Sequence, residues 1–360
     1  MRLSVLVLDS LIYIPALVMF SRTWQRSRSK RTQELAILTL LFQPALLLID
    51  FGHFQYNSVM LGVSYFSFIR LRKLMRGNVG FTLLAINFFA IGNDILGAFF
   101  FVLSLGFKQM ALYYAPAIGS YLLAKCLRLG IIKGYEIFMK SWHSNSRRCN
   151  SRSRLFVQLA IITLSTFIVL FLPWLPPFAA FSSITQPVIR IFPFARGLFE
   201  DKVANFWCAT NVVVKWKSRM SSGTLVKLST LFTAIGFLPS VIGLLRAGVI
   251  MSPPSAENRN FDSEETKLTP QKLNVSCDTT PFLPLLPYAL LTSSMSFFLF
   301  SFQVHEKTIL LPLLPMTLLL SGANVNSTVY QWGVLFNNVA VFRWVPYVDV
   351  LELPYFGQPF

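Results

Sequence analysis

Residues 155–175 read Leu155-Phe156-Val157-Gln158-Leu159-Ala160-Ile161-Ile162-Thr163-Leu164-Ser165-Thr166-Phe167-Ile168-Val169-Leu170-Phe171-Leu172-Pro173-Trp174-Leu175, without one charged side chain. A helix needs roughly 20 apolar residues to cross about 30 Å of hydrocarbon. Backbone groups in lipid must be satisfied within the segment, so such a run is a helix and not an open strand. Further apolar runs occupy residues 3–20, 35–49, 81–107, 111–126, 225–250, 282–304, 309–320 and 329–344. Composition agrees: of 360 residues 54% are hydrophobic, 15% aromatic and only 13% charged, with mean hydropathy +0.56. A soluble domain carries about 25% charged residues, and half that supply cannot coat a globule of this size. The expected fold is all-α, a multi-pass transmembrane helix bundle with about eight to nine crossings.

Charge then orients the bundle. The chain carries 32 Lys+Arg against 15 Asp+Glu, a formal net charge of +17. In a soluble protein this balance would mark a nucleic-acid surface, but here the bases fall in short runs between apolar segments. No nucleic acid is expected. One basic group is Arg22, Arg26, Arg28, Lys30 and Arg31; another is Lys125, Arg128, Lys133, Lys140, Arg147, Arg148, Arg152 and Arg154. Both are expected to face the cytoplasm. Residues 50–57, the link at Lys108 and Gln109, and the loop 176–207 then lie on the opposite side. The polar stretch 252–280 is a cytoplasmic loop whose Asn274-Val275-Ser276 sequon stays unglycosylated. Lys215, Lys217 and Arg219 fall on the non-cytoplasmic side, against the rule. Cys126, Cys149, Cys208 and Cys277 form no CxxC pair and have no His at ligand spacing, so neither a disulfide framework nor a metal site is expected. The apolar start followed by a basic loop fits a transmembrane helix better than a cleaved signal.

Polar groups beside membrane segments are costly in lipid and face a cavity or each other. Three clusters have this character. Asp50-Phe51-Gly52-His53-Phe54-Gln55-Tyr56-Asn57 is either a helix-ending turn with capping side chains or a wall of hydrogen-bonding groups for a sugar. Arg196-Gly197-Leu198-Phe199-Glu200-Asp201-Lys202-Val203-Ala204-Asn205-Phe206-Trp207 is either a solvated charge run or a site. Its carboxylates suit sugar hydroxyls, its bases suit phosphate, and its aromatic faces suit pyranose C–H surfaces. Ser301-Phe302-Gln303-Val304-His305-Glu306-Lys307 closes an apolar run, either as a snorkelling anchor or as a unit whose His305 and Lys307 hold the phosphate of a lipid-borne donor. There is no Gly-rich phosphate loop, no GxSxG elbow and no HExxH.

These strings, with Arg2-Leu3-Ser4-Val5, Leu11-Ile12-Tyr13-Ile14-Pro15, Lys108-Gln109-Met110 and Leu112-Tyr113, resemble one family. It is that of the endoplasmic-reticulum α-1,3-glucosyltransferases that add the first glucose to the lipid-linked oligosaccharide of asparagine-linked glycosylation. The resemblance covers most of residues 1–320. The continuation Phe199-Glu200-Asp201-Lys202-Val203-Ala204-Asn205 favours this enzyme over the sister that adds the second glucose. The resemblance implies a GT-C type glycosyltransferase in the endoplasmic-reticulum membrane, with dolichyl phosphate glucose as donor and Man9GlcNAc2 diphosphate dolichol as acceptor. It implies no cofactor, nucleotide or dedicated metal, and membrane lipids as surroundings. It also implies inversion by a single displacement, with a carboxylate taking the acceptor proton as dolichyl phosphate leaves. His53, Gln55, Arg196, Glu200, Asp201, Lys202, His305, Glu306 and Lys307 become candidates for donor and substrate binding.

The departures shape the domain reading. The family's base lies in an Asp-Tyr-Pro-Pro-Leu type loop, and no Asp-Tyr-Pro-Pro string occurs here. The resemblance places that loop upstream of Met1, so no catalytic residue is carried over to this sequence. Residues 1–342 are expected to form a membrane glucosyltransferase domain lacking its N-terminal part, with 63–79 a non-family insertion and 343–360 a divergent tail. The polypeptide is accordingly expected to be inactive. The competing readings are the sister glucosyltransferase and a non-enzymatic multi-pass lipid-binding or transport protein. A transporter would place charges mid-helix along a water-filled path, whereas only Asp9 and Asn93-Asp94 lie within apolar runs.

Overall fold

The computed structural model describes residues 14–46, 81–140, 151–180, 183, 185–186, 205–250, 280–302 and 304–342. Among the described residues every regular element is helical. We number the helices α1 (Ile14–Trp24), α2 (Lys30–Leu41), α3 (Phe81–Ile91), α4 (Asp94–Phe107), α5 (Ala115–Lys140) and α6 (Ser151–Phe171). There follow α7 (Phe206–Val214), α8 (Ser222–Ile250), α9 (Leu286–Phe300), α10 (Leu310–Ser321) and α11 (Thr328–Phe342). Short 3-10 turns at Gln109–Tyr114, Leu283–Leu285 and Glu306–Ile309 enter α5, α9 and α10. By length and composition three stretches are able to cross a membrane: Arg154–Trp174, Ser222–Ile250 and Leu283–Phe300.

The apolar run 81–107 is not the single crossing its length predicts. It breaks at Gly92, whose φ of 88° suits a residue without Cβ. Asn93 then caps α4, its Oδ1 accepting from the Leu96 N–H at 3.2 Å. The chain doubles back, and α3 and α4 pack antiparallel. Phe88 and Phe100 stack at 5.3 Å, and the Thr82 and Ser104 hydroxyls pair at 2.9 Å. At Gly97 any Cβ would overlap the Phe89 ring, so the close approach of the two helices needs glycine there. A hairpin returns the chain to the end from which it came, which a single crossing would not do. Average hydrophobicity missed this because both arms are equally apolar.

Two other expectations need correction. The run 35–49 is not one helix: α2 ends at Leu41, Phe42 caps it, and a new turn starts at Pro44. Lys125, Arg128, Lys133 and Lys140 do not sit in a loop, because α5 runs on through all of them. Lys125 is itself buried, its charge met by Asp94 on α4.

The core is layered around α3, α9 and α10. Residues 81–90 are all buried, so α3 is enclosed, and residues 310–318 of α10 are equally sealed. Helix α9 packs between α8 and α10 and also touches α5, while α8 lies along α5. Gln43 ties the interior together, donating to the Thr317 hydroxyl at 2.9 Å and to Asn337 Oδ1 at 3.2 Å. The outward faces of α6 and α8 stay apolar: Ile161, Leu164, Val169, Leu231 and Ile235 are all more than half exposed. Soluble surfaces rarely carry such a stripe, and lipid is the solvent it fits.

Candidate functional site

One end of the bundle gathers the described polar strings. There α9 finishes at Phe300, and Ser301 and Phe302 lead to the Glu306–Ile309 turn. His305 caps that turn. Its Nδ1 accepts from the Lys307 N–H at 3.3 Å, and its carbonyl accepts from the Thr308 hydroxyl at 2.5 Å. An Nδ1 that accepts leaves the proton of a neutral imidazole on Nε2. His305 and Lys307 are both half-buried, and Thr308 behind them is fully buried, so the backbone beneath the two side chains is fixed.

The end of the second string reaches the same place. Asn205 is buried and caps α7, its Oδ1 accepting from the Cys208 N–H at 2.9 Å. Trp207, completely buried, donates from Nε1 to the Phe300 carbonyl at 2.9 Å. That carbonyl lies in the last turn of α9, where helical partners run out, so the indole satisfies an otherwise orphaned acceptor. Phe206, Trp216 and Phe232 close around Trp207, with Phe232 stacked on it at 5.8 Å and Trp216 edge-on at 5.7 Å. Nine-residue α7 is too short to cross a bilayer, and its C-cap Lys215 takes a left-handed φ of 50° to turn the chain into Trp216–Arg219. Lys215, Lys217 and Arg219 therefore remain at the His305 end of the bundle.

The link between α4 and α5 joins from a third direction. Tyr113 shares a side-chain hydrogen bond with Ser301 and stacks on Phe297 at 4.8 Å, and Ser293 donates to the Tyr113 carbonyl at 2.6 Å. Tyr114 donates to the Leu311 carbonyl at 2.6 Å. Lys108 and Gln109, a polar pair between apolar runs, are thereby held beside the third string. Trp207, Tyr113 and Ser301 lie in strings the sequence singles out, but their role as anchors between those strings was not among the candidate roles. Their signal was the placement of a hydrogen-bonding aromatic or hydroxyl at the edge of an apolar run.

Of the candidate residues, the structure positions His305 and Lys307, and the backbone of Glu306. His53, Gln55, Arg196, Glu200, Asp201 and Lys202 lie outside the described residues, as do the insertion 63–79 and the tail 343–360; of the loop 252–280, only Thr280 is described. The first residue described is Ile14.

Among the described residues, an all-helical bundle with lipid-suited outer faces and polar segments gathered at one end fits a membrane protein. Residues 1–350 match the model of the ALG6, ALG8 glycosyltransferase family, and the chain belongs to that family. It is 41% identical over 360 residues to the Saccharomyces cerevisiae protein named dolichyl pyrophosphate Man9GlcNAc2 alpha-1,3-glucosyltransferase, covering 99% of this chain and 53% of that one. A Schizosaccharomyces pombe protein with the same name, marked probable, is 36% identical over 99% of this chain and 56% of its own length. The Gallus gallus protein of that name is 34% identical over 99% of this chain and 55% of its own. The chain thus spans about half the length of the curated relatives it matches.

Proposed function

We propose that the protein containing this chain is the α-1,3-glucosyltransferase that transfers glucose from dolichyl phosphate glucose to Man9GlcNAc2 diphosphate dolichol. In this reading it is a multi-pass protein of the endoplasmic-reticulum membrane, with about eight to nine crossings in this region and a GT-C architecture. The His305 end faces the lumen and the Trp24 end the cytoplasm. The observation that carries the reading is the hydrogen bond from Trp207 to the Phe300 carbonyl. It brings the residues following Arg196–Ala204 against those preceding His305, so that two strings far apart in sequence serve one face.

The chemistry assigned to that face is an inverting displacement. An acceptor hydroxyl oxygen bonds to glucose C1 as the C1–O bond to phosphate breaks, a carboxylate takes the hydroxyl proton, and dolichyl phosphate departs with the electron pair. His305 Nε2–H and Lys307 are assigned to the phosphate oxygens, where fixed donors meet the charge that grows on departure. In this reading Arg196 and Lys202 are assigned to the same phosphate. His53, Gln55, Glu200, Asp201 and Glu306 are assigned to the sugar hydroxyls. The base itself is not assigned among the 360 residues.

The test is disruption of the gene in its own organism, with chromatography of lipid-linked oligosaccharides. Accumulation of unglucosylated Man9GlcNAc2 is expected. Accumulation of the singly glucosylated species would make the protein the second glucosyltransferase, and an unchanged profile would leave a lipid-binding or transport protein.

A further inference from the structure

Helix α8 marks the bilayer boundaries on its own surface. Lys227 and Arg246 are both exposed on it, and the stretch 228–245 between them has no charged side chain. At 1.5 Å per residue that stretch is about 27 Å long, close to the roughly 30 Å of hydrocarbon in a bilayer. Bases are costly in lipid and reach for the interface, so these two set the headgroup levels. The Arg246 level has independent support. Gly248, just beyond it, lies against Ala124, the neighbour of the Lys125 that pairs with Asp94. Lys227 sets the level at the His305 end, because Leu225 of α8 packs in one cluster with Trp207, Phe232 and Phe302, and Phe302 lies three positions before His305.

Helix α7 begins on the hydrocarbon side of that level, and the chain leaves through it. Phe206 and Trp207 meet Phe232, which is about 7.5 Å further into α8 than Lys227. The chain then returns to Ser221, outside Lys227, where α8 starts. On this passage Val212 and Val213 are each 81% exposed, more than any other large hydrophobic among the described residues. Lys215 and Arg219 follow, both exposed. Their turn is held in place: Asn211 Oδ1 accepts from the Trp216 N–H at 3.0 Å, and Trp216 Nε1 donates to the Thr210 hydroxyl at 2.9 Å. Residues 205–250 contain no Asp or Glu, and among the described residues Lys215, Arg219 and Lys227 form no ion pair.

We propose that residues 206–227 form an interfacial hook that docks on the bilayer leaflet at the His305 end. Val212 and Val213 enter the acyl boundary, while Lys215, Arg219 and Lys227 pair with the phosphates of anionic headgroups. Depth and charge together select this occupant. The uncharged length of α8 puts valines and bases at a lipid boundary, and bases without carboxylates of their own complement an anionic surface. The hook rests on the membrane reading of the chain and not on glucose transfer.

The test is the depth of Val213. Val213→Cys, labelled with the fluorophore NBD, is reconstituted into phosphatidylcholine vesicles, and the signal of the identically treated unaltered chain is subtracted. Quenching by a phospholipid carrying a nitroxide high on its acyl chain is expected to exceed quenching by aqueous iodide severalfold. Quenching by iodide alone would overturn the proposal, because the valines would then face water. Quenching by neither would also overturn it and would assign the face to protein, either a second copy or another segment. Mixing phosphatidylglycerol into the vesicles is expected to raise the lipid quenching about twofold, and the gain is expected to vanish when Lys215→Gln, Arg219→Gln and Lys227→Gln are combined. An equal gain without the three bases would overturn the headgroup assignment. If the labelled or neutralised chains fail to fold, photocrosslinking of a diazirine phosphatidylglycerol to the unaltered chain decides. Adducts within 206–227 support the hook, and adducts confined elsewhere refute it.

Discussion

Asp94 on α4 and Lys125 on α5 form a buried ion pair, with Lys125 Nζ 2.8 Å from Asp94 Oδ2 and 2.9 Å from Oδ1. Neither residue is more than 8% exposed. Asp94 opens α4 directly after the Gly92-Asn93 break, so the pair fastens the tip of the α3–α4 hairpin to a neighbouring helix. Lys125→Met leaves the carboxylate buried without its counter-charge, which costs about 3–5 kcal/mol. The double variant Asp94→Leu with Lys125→Met removes both charges and is expected to recover most of that loss. Thermal unfolding in detergent measures both, and a double variant as unstable as the single one would show that the pairing is not what matters.

Trp207 contributes through its ring and its N–H separately. Trp207→Phe keeps the stack on Phe232 but strands the Phe300 carbonyl, an expected loss of about 1 kcal/mol. Trp207→Ala empties the center of the aromatic cluster and is expected to cost about 3–5 kcal/mol. In the proposed glucosyltransferase the alanine variant is expected to lower glucose transfer far more than the phenylalanine variant. Equal activity of the two would separate this cluster from the site.

His305 has two nitrogens with different tasks, and substitution can tell them apart. Asparagine offers a capping oxygen for the Lys307 N–H but nothing in the place of Nε2–H. His305→Asn is therefore expected to keep the thermal stability of the unaltered chain while transfer by the proposed glucosyltransferase drops at least tenfold, as for loss of one fixed donor to a developing anion. His305→Ala is expected to lose both. If the asparagine variant retains full activity, the imidazole is only a cap.

These residues also show what the sequence made readable. The terminal run His305-Glu306-Lys307 announced itself because charges stop an apolar segment, and the cap at His305 follows from that. Lys125 misled because a base near other bases reads as loop, while burial depends on Asp94, thirty-one positions earlier. The hairpin at Gly92-Asn93 carried a local signal, a glycine before a capping asparagine, but a run of uniformly apolar residues outweighed it. Trp207 was legible as an aromatic in a polar string; its contact with Phe300 spans 93 positions and no local pattern encodes it.

The outer face of α6 gives a prediction in which water and lipid disagree. Ile161, Leu164 and Val169 are exposed on a helix whose contacts are with α4 and α5 on its other side. In water, a polar residue at an exposed position is harmless or improves solubility, with changes within about 0.5 kcal/mol. In lipid, an aspartate near the center of a crossing helix costs about 2.5–3.5 kcal/mol. Leu164→Asp is thus expected to reduce membrane integration of the chain in microsomes severalfold, while Leu164→Ala changes it little. Measuring the carbonate-resistant fraction of each variant decides the matter. Equal integration of Leu164→Asp and the unaltered chain would mean that this stripe faces protein or water, and the bilayer would have to be placed elsewhere on the bundle.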